Sequence, residues 1–564
     1  MRVVFLQLPQ LDTDTRGGHE NVPLAARLLA RALRRHAFDV PPDILEPPAG
    51  FDALDDAHLV DALVDMAPDI IAATLYLWNV ERTLDVLRRV RGRLPGVRVA
   101  LGGPEVSREH PFLTVSDVPD ALVEGEGEPV VAEVVACLAG RPARTDVSSI
   151  GLRGGAGWAW GAGRPPHAAL ADVWPRPEEE EGAAAGSDIA YLEASRGCPL
   201  RCAYCCYNQR RSALGFLSPS EVAHRLEALR DRGVREVRFI DPTFNSHPEF
   251  DALLAGIARV NRRRSMTCFA ELRAETLTPR QIGLLARGGF TEIEVGIQSL
   301  DREVLRAIRR PTRLDALEPA VRQMAAAGIR LTLDVMGALP LQRLDDVKRT
   351  LEWAAAVPGS RVQFMHTLAL PGTELRRRWA GDLRHQALPP YRVLSTRWMS
   401  AGDLRQADAC AETVTGTVMD VPTVRFVGRR LEGMFSERVR IDADAALPAR
   451  VGGRSCRRAV TISGRDLFAR QDALAAWMAA AVRSEPHILW QFILSPEHEE
   501  PLDLLDRLAA VLRRLPTHVL DRSTVGGRPG QRVARRVFVQ LRAGARYDAG
   551  WRRAAENLLR AHFH

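Results

Sequence analysis

Apolar and polar positions along the first 140 residues switch between two periods. Short apolar runs at Val3–Leu8, Ile70–Leu77, Val97–Leu101 and Ala121–Glu124, with a weaker one at Val40–Leu45, predict strands. Between them apolar residues return every three or four positions, over Val22–Arg35, Ala53–Met66, Val80–Leu94 and Pro129–Leu138, which predicts amphipathic helices. From Ile189 to Leu370 the alternation resumes, with strands expected at Ile189–Ser195, Val234–Ile240, Met266–Leu272, Thr291–Ile297, Ile329–Met336 and Val362–Ala369. Ser218-Pro219-Ser220-Glu221 and Thr278-Pro279-Arg280-Gln281 read as capping boxes with Pro at the first helical position.

Alternating strands and helices form parallel βαβ units, so the fold class is α/β. Five strands in residues 1–140 suit a flavodoxin-like doubly wound sheet, whose ligands lie beyond the carboxyl ends of the strands. Residues 141–187 are rich in Gly, Pro and Ala, carry the run Glu178 to Glu181, and read as a linker. Six βα units in residues 188–395 make a partial (β/α)6 barrel with its chemistry at the strand ends. Residues 396–564 read as a mostly helical, substrate-shaping or capping domain, with helices expected at Asp472–Arg483 and Leu502–Arg514.

The charge changes this picture little. A net charge of +7 over 564 residues, almost all from arginine (Lys348 is the one lysine), forms no dense basic tract and gives no sign of nucleic-acid binding. No apolar run is long enough to cross a bilayer and the start does not read as a signal peptide, so a cytoplasmic enzyme without a membrane anchor is expected. The cysteines change it more. Of eight, Cys198, Cys202, Cys205 and Cys206 fall together, which argues for metal rather than a disulfide framework.

The segment Ser195-Arg-Gly-Cys198-Pro-Leu-Arg-Cys202-Ala-Tyr204-Cys205-Cys206-Tyr-Asn208 leaves the first barrel strand through a glycine. Three thiols spaced C-x-x-x-C-x-x-C on one loop can close around an iron–sulfur cube and leave one iron open. Zinc is the rival, but it wants a fourth Cys or His at a matching distance, and Cys206 is too close to Cys205 to serve. This spacing after the first strand of a partial barrel resembles the radical S-adenosylmethionine (SAM) superfamily over roughly residues 188–375. The resemblance implies a 4Fe–4S cluster on Cys198, Cys202 and Cys205. Its open iron would chelate SAM, and one electron would release a 5′-deoxyadenosyl radical.

Other positions follow the same resemblance. Tyr204 precedes the third cysteine. Asp241-Pro-Thr243-Phe-Asn245 stands where that family binds the SAM amino group, with Thr243 or backbone carbonyls in place of its usual Gly-Gly-Glu. Glu271 and Arg273 share a face by alternation and suit a ribose or amine and the SAM carboxylate. Gln298 and Ser299 could bind ribose, and Asp334 to Pro340 would lie near the adenine.

A doubly wound domain before such a barrel resembles the cobalamin-binding class of these enzymes. Three strand-end loops carry the likeness: Tyr76-Leu-Trp78-Asn79; Gly102-Gly103-Pro104-Glu105-Val-Ser107; and Glu124-Gly125-Glu126-Gly-Glu. The phosphate fingerprint of a dinucleotide domain is missing after the first strand. So is Asp-x-His-x-x-Gly, since Asp56-Ala-His58 is followed by Leu-Val, so no protein histidine is expected beneath cobalt; Trp78 or Tyr76 would face it instead. The resemblance implies methylation of an unactivated carbon of a small-molecule or peptide substrate, with a flavodoxin- or ferredoxin-type electron donor. The rivals are cyclisation, ring contraction or hydroxylation with the same cofactors, and a cobalamin-binding module without turnover. A methylthiolating enzyme is disfavoured because Cys137 alone precedes Cys198.

Overall fold

The computed structural model describes residues 1–11, 23–48, 50–141, 149–155, 157–162, 167, 169–174, 188–207, 214–416, 425–428, 437–523 and 534–561. The early apolar runs form β1 (Arg2–Leu6), β2 (Asp43–Leu45), β3 (Ile70–Thr74), β4 (Arg98–Gly102) and β5 (Ala121–Val123). They are parallel neighbours in the order β2-β1-β3-β4-β5 expected of a doubly wound sheet. The helices Leu24–Arg35, Asp56–Asp65, Val80–Arg93 and Val131–Leu138 fall between them, as the apolar spacing predicts.

The expected linker is partly sheet. Antiparallel β6 (Ile150–Gly154) and β7 (Gly157–Trp160) extend the edge beyond β5. The glycines that suggested a linker serve this hairpin: a Cβ on Gly151 would lie 2.7 Å from the Trp160 ring. The run Glu178 to Glu181 lies outside the described residues.

The second series forms β8 (Ile189–Leu192), a short ribbon of β9 (Ser195–Arg196) and β10 (Gly215–Phe216), then β11 (Glu236–Phe239), β12 (Thr267–Leu272), β13 (Phe290–Gln298), β14 (Arg330–Gly337) and β15 (Arg361–His366). The six long strands are parallel and stand in chain order, β8-β11-β12-β13-β14-β15. A doubly wound sheet would reverse direction midway; unbroken order is the topology of a partial α/β barrel. Both capping boxes form, at Ser218–Glu221 and Thr278–Gln281. The hairpin β16 (Leu383–His385) and β17 (Val393–Thr396) and the helix Ala401–Thr415 follow.

The C-terminal region is not mostly helical. The strands β18 (Arg425–Gly428), β19 (Glu437–Asp442), β20 (Arg457–Gly464), β21 (Leu489–Pro496) and β22 (Arg535–Gln540) form a five-stranded, all-parallel sheet, with helices Gln471–Ser484, Asp503–Arg513 and Ala549–Ala561. Ala459, Val460 and Ile462 are buried on β20, and Trp490 to Leu494 on β21. Strands covered on both faces lack the alternation that marks a strand, so in sequence they read like pieces of helix.

Contacts divide the chain into two compact units, residues 1–23, 42–99 and 417–564, and residues 24–41 and 100–416. In the first, Arg458 and Asp55, each 2% exposed, form an ion pair, and Arg458 also donates to the Gly453 carbonyl at 3.0 Å. Asp55→Ala strands a buried guanidinium, so a loss of about 3–5 kcal/mol is expected. Urea denaturation should show it as a lower midpoint at unchanged slope. Among the described residues no helix is long and apolar enough to cross a membrane.

Candidate active site

The cysteine loop starts and ends on the ribbon, where Ser195 pairs with Phe216 and Arg196 with Gly215. Asp241, at the end of β11, anchors its root. The buried carboxylate accepts from the Ala194 amide at 3.0 Å and from the Ser195 amide and hydroxyl, each at 2.5 Å. Burial, against those hydrogen bonds, still pushes its pKa up to about 7. Gly197 then turns the chain at φ +97°, a conformation that a Cβ disfavours, and delivers Cys198. The Cys198 Sγ lies 3.4 Å from the Thr243 hydroxyl. The loop's far side is held by the Ala203 amide donating to Ile308 O at 2.8 Å and the Leu375 amide donating to Ala203 O at 2.8 Å.

The thiols are gathered in low polarity. Burial pushes Cys205 up to about 12, and Cys206, Cys202 and Cys198 add to the rise against a backbone hydrogen bond from Tyr207. Metal ligands bind as thiolates, so a bound metal centre would have to displace the Cys205 proton. Among the described residues no three His, Cys, Asp or Glu side chains gather tightly enough for one metal ion. A single tetrahedral zinc draws sulfurs to about 3.8 Å of one another, from Zn–S bonds of about 2.3 Å. An iron–sulfur cube binds each thiolate at a different corner, so its ligands stand farther apart. Three free thiols on one loop are the soft donor type that an iron–sulfur cluster takes.

Sequence reasoning missed Arg310. Its Nη1 donates to the Tyr204 hydroxyl at 3.3 Å and lies 3.9 Å from the Cys202 Sγ, while Nη2 donates to the Gly296 carbonyl. Burial works against its charge, but Tyr204, Cys202 and Glu275 more than offset that and raise its pKa. The approach needs Gly296: a Cβ there would lie 2.8 Å from Arg310 Nη2 and 2.5 Å from Gln298 Nε2. Tyr204 packs against Val304, Leu305, Ile308, Met336 and Leu339.

The other sequence-chosen positions separate. Thr243 is buried beside Cys198. Glu271 is reached by solvent yet surrounded by protein, and burial, then Glu294, pushes it up to about 7. Arg273 does not join it: its guanidinium pairs with Glu275 at 2.5 Å and donates to the Pro311 carbonyl. Alternation fails there because β12 ends at Leu272 and a 3-10 turn follows. Gln298 is buried at φ +67°, beside a register shift in β13. Ser299 is buried, and its hydroxyl accepts from the Asp301 amide at 3.1 Å.

Of the three strand-end loops, the one after β3 lies in the first unit. Tyr76 and Trp78 stack at 4.5 Å and 8°. Asn79 ties strand ends together, donating to Leu8 O at 2.9 Å and Thr74 O at 3.2 Å and accepting from the Tyr76 amide at 2.8 Å. In the second unit Gly103 and Gly125 both take φ +100°. Gly102 ends β4, and Pro104 leads into the buried Glu105 and Ser107. Glu124 pairs with Arg108 at 3.1 Å, and Glu126 lies 3.4 Å from His167. Arg196 binds Glu193 at 2.7 Å and Glu128 at 3.0 Å, so the loop after β5 grips the root of the cysteine loop.

Glu105 is held in a buried triangle. Its Oε2 accepts from the Tyr391 hydroxyl at 2.9 Å and stands 3.2 Å from His110 Nε2, itself 3.1 Å from that hydroxyl. All three side chains are buried. Tyr391→Phe removes a donor from a buried carboxylate, so a destabilisation of about 1–3 kcal/mol is expected in denaturant unfolding.

Residues 192–354 match the Radical SAM superfamily and residues 15–135 the B12 binding domain. The chain is 27% identical over 344 residues to a 2-(S-pantetheinyl)-carbapenam-3-carboxylate methyltransferase of Streptantibioticus cattleyicolor, covering 56% of this chain and 49% of that protein. It is 26% identical over 329 residues to the cobalamin-dependent radical SAM methyltransferase TokK of Streptomyces tokunonensis, covering 52% and 46%. It thus spans about half the length of these curated relatives. Its fold is similar to the radical SAM methyltransferase TsrM of Kitasatospora setae, with a TM-score of 0.57 and 16% identity over 73% of this chain and 88% of that one.

Proposed function

The chain belongs to the cobalamin-dependent, B12-binding radical SAM enzymes, and from that premise we propose that it methylates an unactivated carbon of a small-molecule or peptide substrate. The observation that carries this reading is the Arg196 bridge, which joins the Glu126-Gly-Glu128 loop of the B12-binding region to the ribbon bearing the cysteine loop. Methyl transfer to a substrate radical requires both cofactor loops to serve one space.

A 4Fe–4S cluster, SAM and cobalamin supply, when bound, one-electron cleavage of a sulfonium and a transferable methyl group. Cys198, Cys202 and Cys205 would hold the cluster. Thr243, Gln298 and the Tyr204 backbone region would flank SAM, with Arg310 keeping Tyr204 and the Gly296 carbonyl in place. The loops at Gly102–Ser107 and Glu124–Glu126 of the second unit would receive cobalamin. Within them Glu105 would be a positioning residue, because its Oε2 already accepts from Tyr391. A flavodoxin- or ferredoxin-type protein would deliver the electron.

The test is anaerobic reconstitution with iron, sulfide and cobalamin, followed by turnover with SAM carrying a deuterated methyl group. The expected result is 5′-deoxyadenosine together with a product carrying the label. Radical cleavage with an unlabelled, rearranged product would overturn methyl transfer; no cleavage under reducing conditions would reduce the chain to a binding module.

A further inference from the structure

The loop that carries Cys198, Cys202 and Cys205 reaches the surface between its first two cysteines: Pro199 and Arg201 are exposed, whereas Gly197, Cys202 and Ala203 are buried. Two short helices of the same unit clasp it there. The Ala203 amide donates to the Ile308 carbonyl, just past the helix Arg302–Ala307, and the Ala203 carbonyl accepts from the Leu375 amide in the helix Glu374–Arg378, each at 2.8 Å. Glu374 ties the two helices together, pairing with Arg309 at 2.7 Å and with Arg378 at 3.5 Å.

The charge around this clasp is one-sided. Over residues 198–207, 301–310 and 374–380 the exposed charged side chains are Arg201, Arg302, Arg306, Arg309, Arg377 and Arg378 against Glu303 alone. The whole chain carries 77 basic and 70 acidic residues, so this excess is local and not a reflection of composition. The other carboxylates nearby are engaged: Asp301 caps its helix by accepting from the Glu303 and Val304 amides, and Glu374 is 23% exposed between its two arginines. Arg377 pairs with Glu109 at 3.3 Å with both side chains more than half exposed, a contact that water weakens and a stronger partner can replace. Among the described residues Arg201, Arg302 and Arg306 form no ion pair.

Like charges gathered at a surface repel one another, and the fold gains nothing from these. They surround the exposed side of a loop whose cluster must be reduced from outside the chain. Encounters with electron carriers are small and brief, and opposite charge steers them more than buried apolar area does.

We propose that Arg201, Arg302, Arg306, Arg309 and Arg378 form the docking surface for an acidic one-electron carrier protein. This rests on reading the chain as a radical SAM enzyme and adds the carrier's footprint to that reading. The step served there is an electron transfer: the carrier's anionic flavin hydroquinone is oxidised by one electron and the cluster is reduced by one, with no bond made or broken and no proton moved. The test uses the cluster-loaded protein and a bacterial flavodoxin. Calorimetry with the oxidised flavodoxin should show binding at about 0.01 M salt that weakens at least about tenfold by about 1 M, as the screening length falls from about 30 Å to about 3 Å. Arg306→Glu/Arg378→Glu, one reversal on each clasping helix, should weaken the low-salt binding at least about tenfold and slow bleaching of the cluster absorbance by reduced flavodoxin to match. Reduced methyl viologen, a small cation that needs no docking surface, should still drive SAM cleavage in the variant at the parent's rate. Binding indifferent to salt, a variant that binds as the parent does, or an equal loss with both reductants would each overturn the assignment. Thermal melts of the variant separate lost docking from lost folding. Failure of the parent to cleave SAM with methyl viologen sinks the radical reading and leaves the binding measurement to judge the surface by itself.

Discussion

Serine at Cys198, Cys202 and Cys205 together is expected to abolish iron binding and 5′-deoxyadenosine formation while leaving the fold intact. A hydroxyl is the size of a thiol but a poor ligand for an iron–sulfur cluster, which wants soft thiolate. The backbone of the loop is fixed by other means: Asp241 holds its root, and Ile308 O and the Leu375 amide hold Ala203. Burial pushes the Cys205 thiol up, so its replacement takes no buried anion from the loop. Iron and sulfide content after anaerobic reconstitution, the visible absorbance of the cluster and circular dichroism read the three parts of this expectation. Cys206→Ser is the matched control and should keep the parent's iron content, because Cys206 lies outside the C-x-x-x-C-x-x-C spacing of the three proposed ligands. A triple variant that still bound the cluster and cleaved SAM would remove the basis of the proposed chemistry.

What the sequence revealed and what it hid have physical causes. The cysteine loop, both capping boxes and the eleven parallel strands of the two larger N-terminal sheets were legible because each depends on residues close in sequence, an apolar run of the right length or a Ser/Thr answered three positions on. The C-terminal sheet was not, because strands such as β21 are buried on both faces and show no period. The three strand-end loops could be located, but which of their residues are held by the protein itself could not. Asn79 is chosen equally well by a ligand and by three backbone groups, and only the folded geometry shows that the backbone has it. Arg273 was expected beside Glu271 on the strength of alternation, yet the strand stops one residue too soon and Glu275 captures it. Arg310 carried no local signal: it sits 108 positions from Cys202, among other arginines in a chain that uses arginine for nearly every cation. A hint was present in Gly296, since a glycine at an inward position of a long strand makes room for something that approaches closely.

Arg310→Leu is expected to slow SAM cleavage by about 10–100-fold, the usual cost of removing a group that orients metal ligands. Three roles end together in this variant. Tyr204 loses the donor at 3.3 Å that fixes its hydroxyl, the Gly296 carbonyl loses its partner, and the positive charge 3.9 Å from the Cys202 sulfur disappears. The last has its own signature. A cation or hydrogen-bond donor beside a ligating thiolate favours the more negative, reduced cluster, so the midpoint potential should move downward in the variant and make reduction harder. Arg310→Lys keeps a charge but not the planar fork, so it should recover most of the potential and little of the Tyr204 geometry. The comparison decides between roles: a purely packing function for Arg310 predicts lower thermal stability in both variants with the potential unmoved, and that outcome would reject the electrostatic account. If instead the potential falls in leucine and returns in lysine, the guanidinium that sequence patterning passed over is what adjusts the cluster to its electron donor.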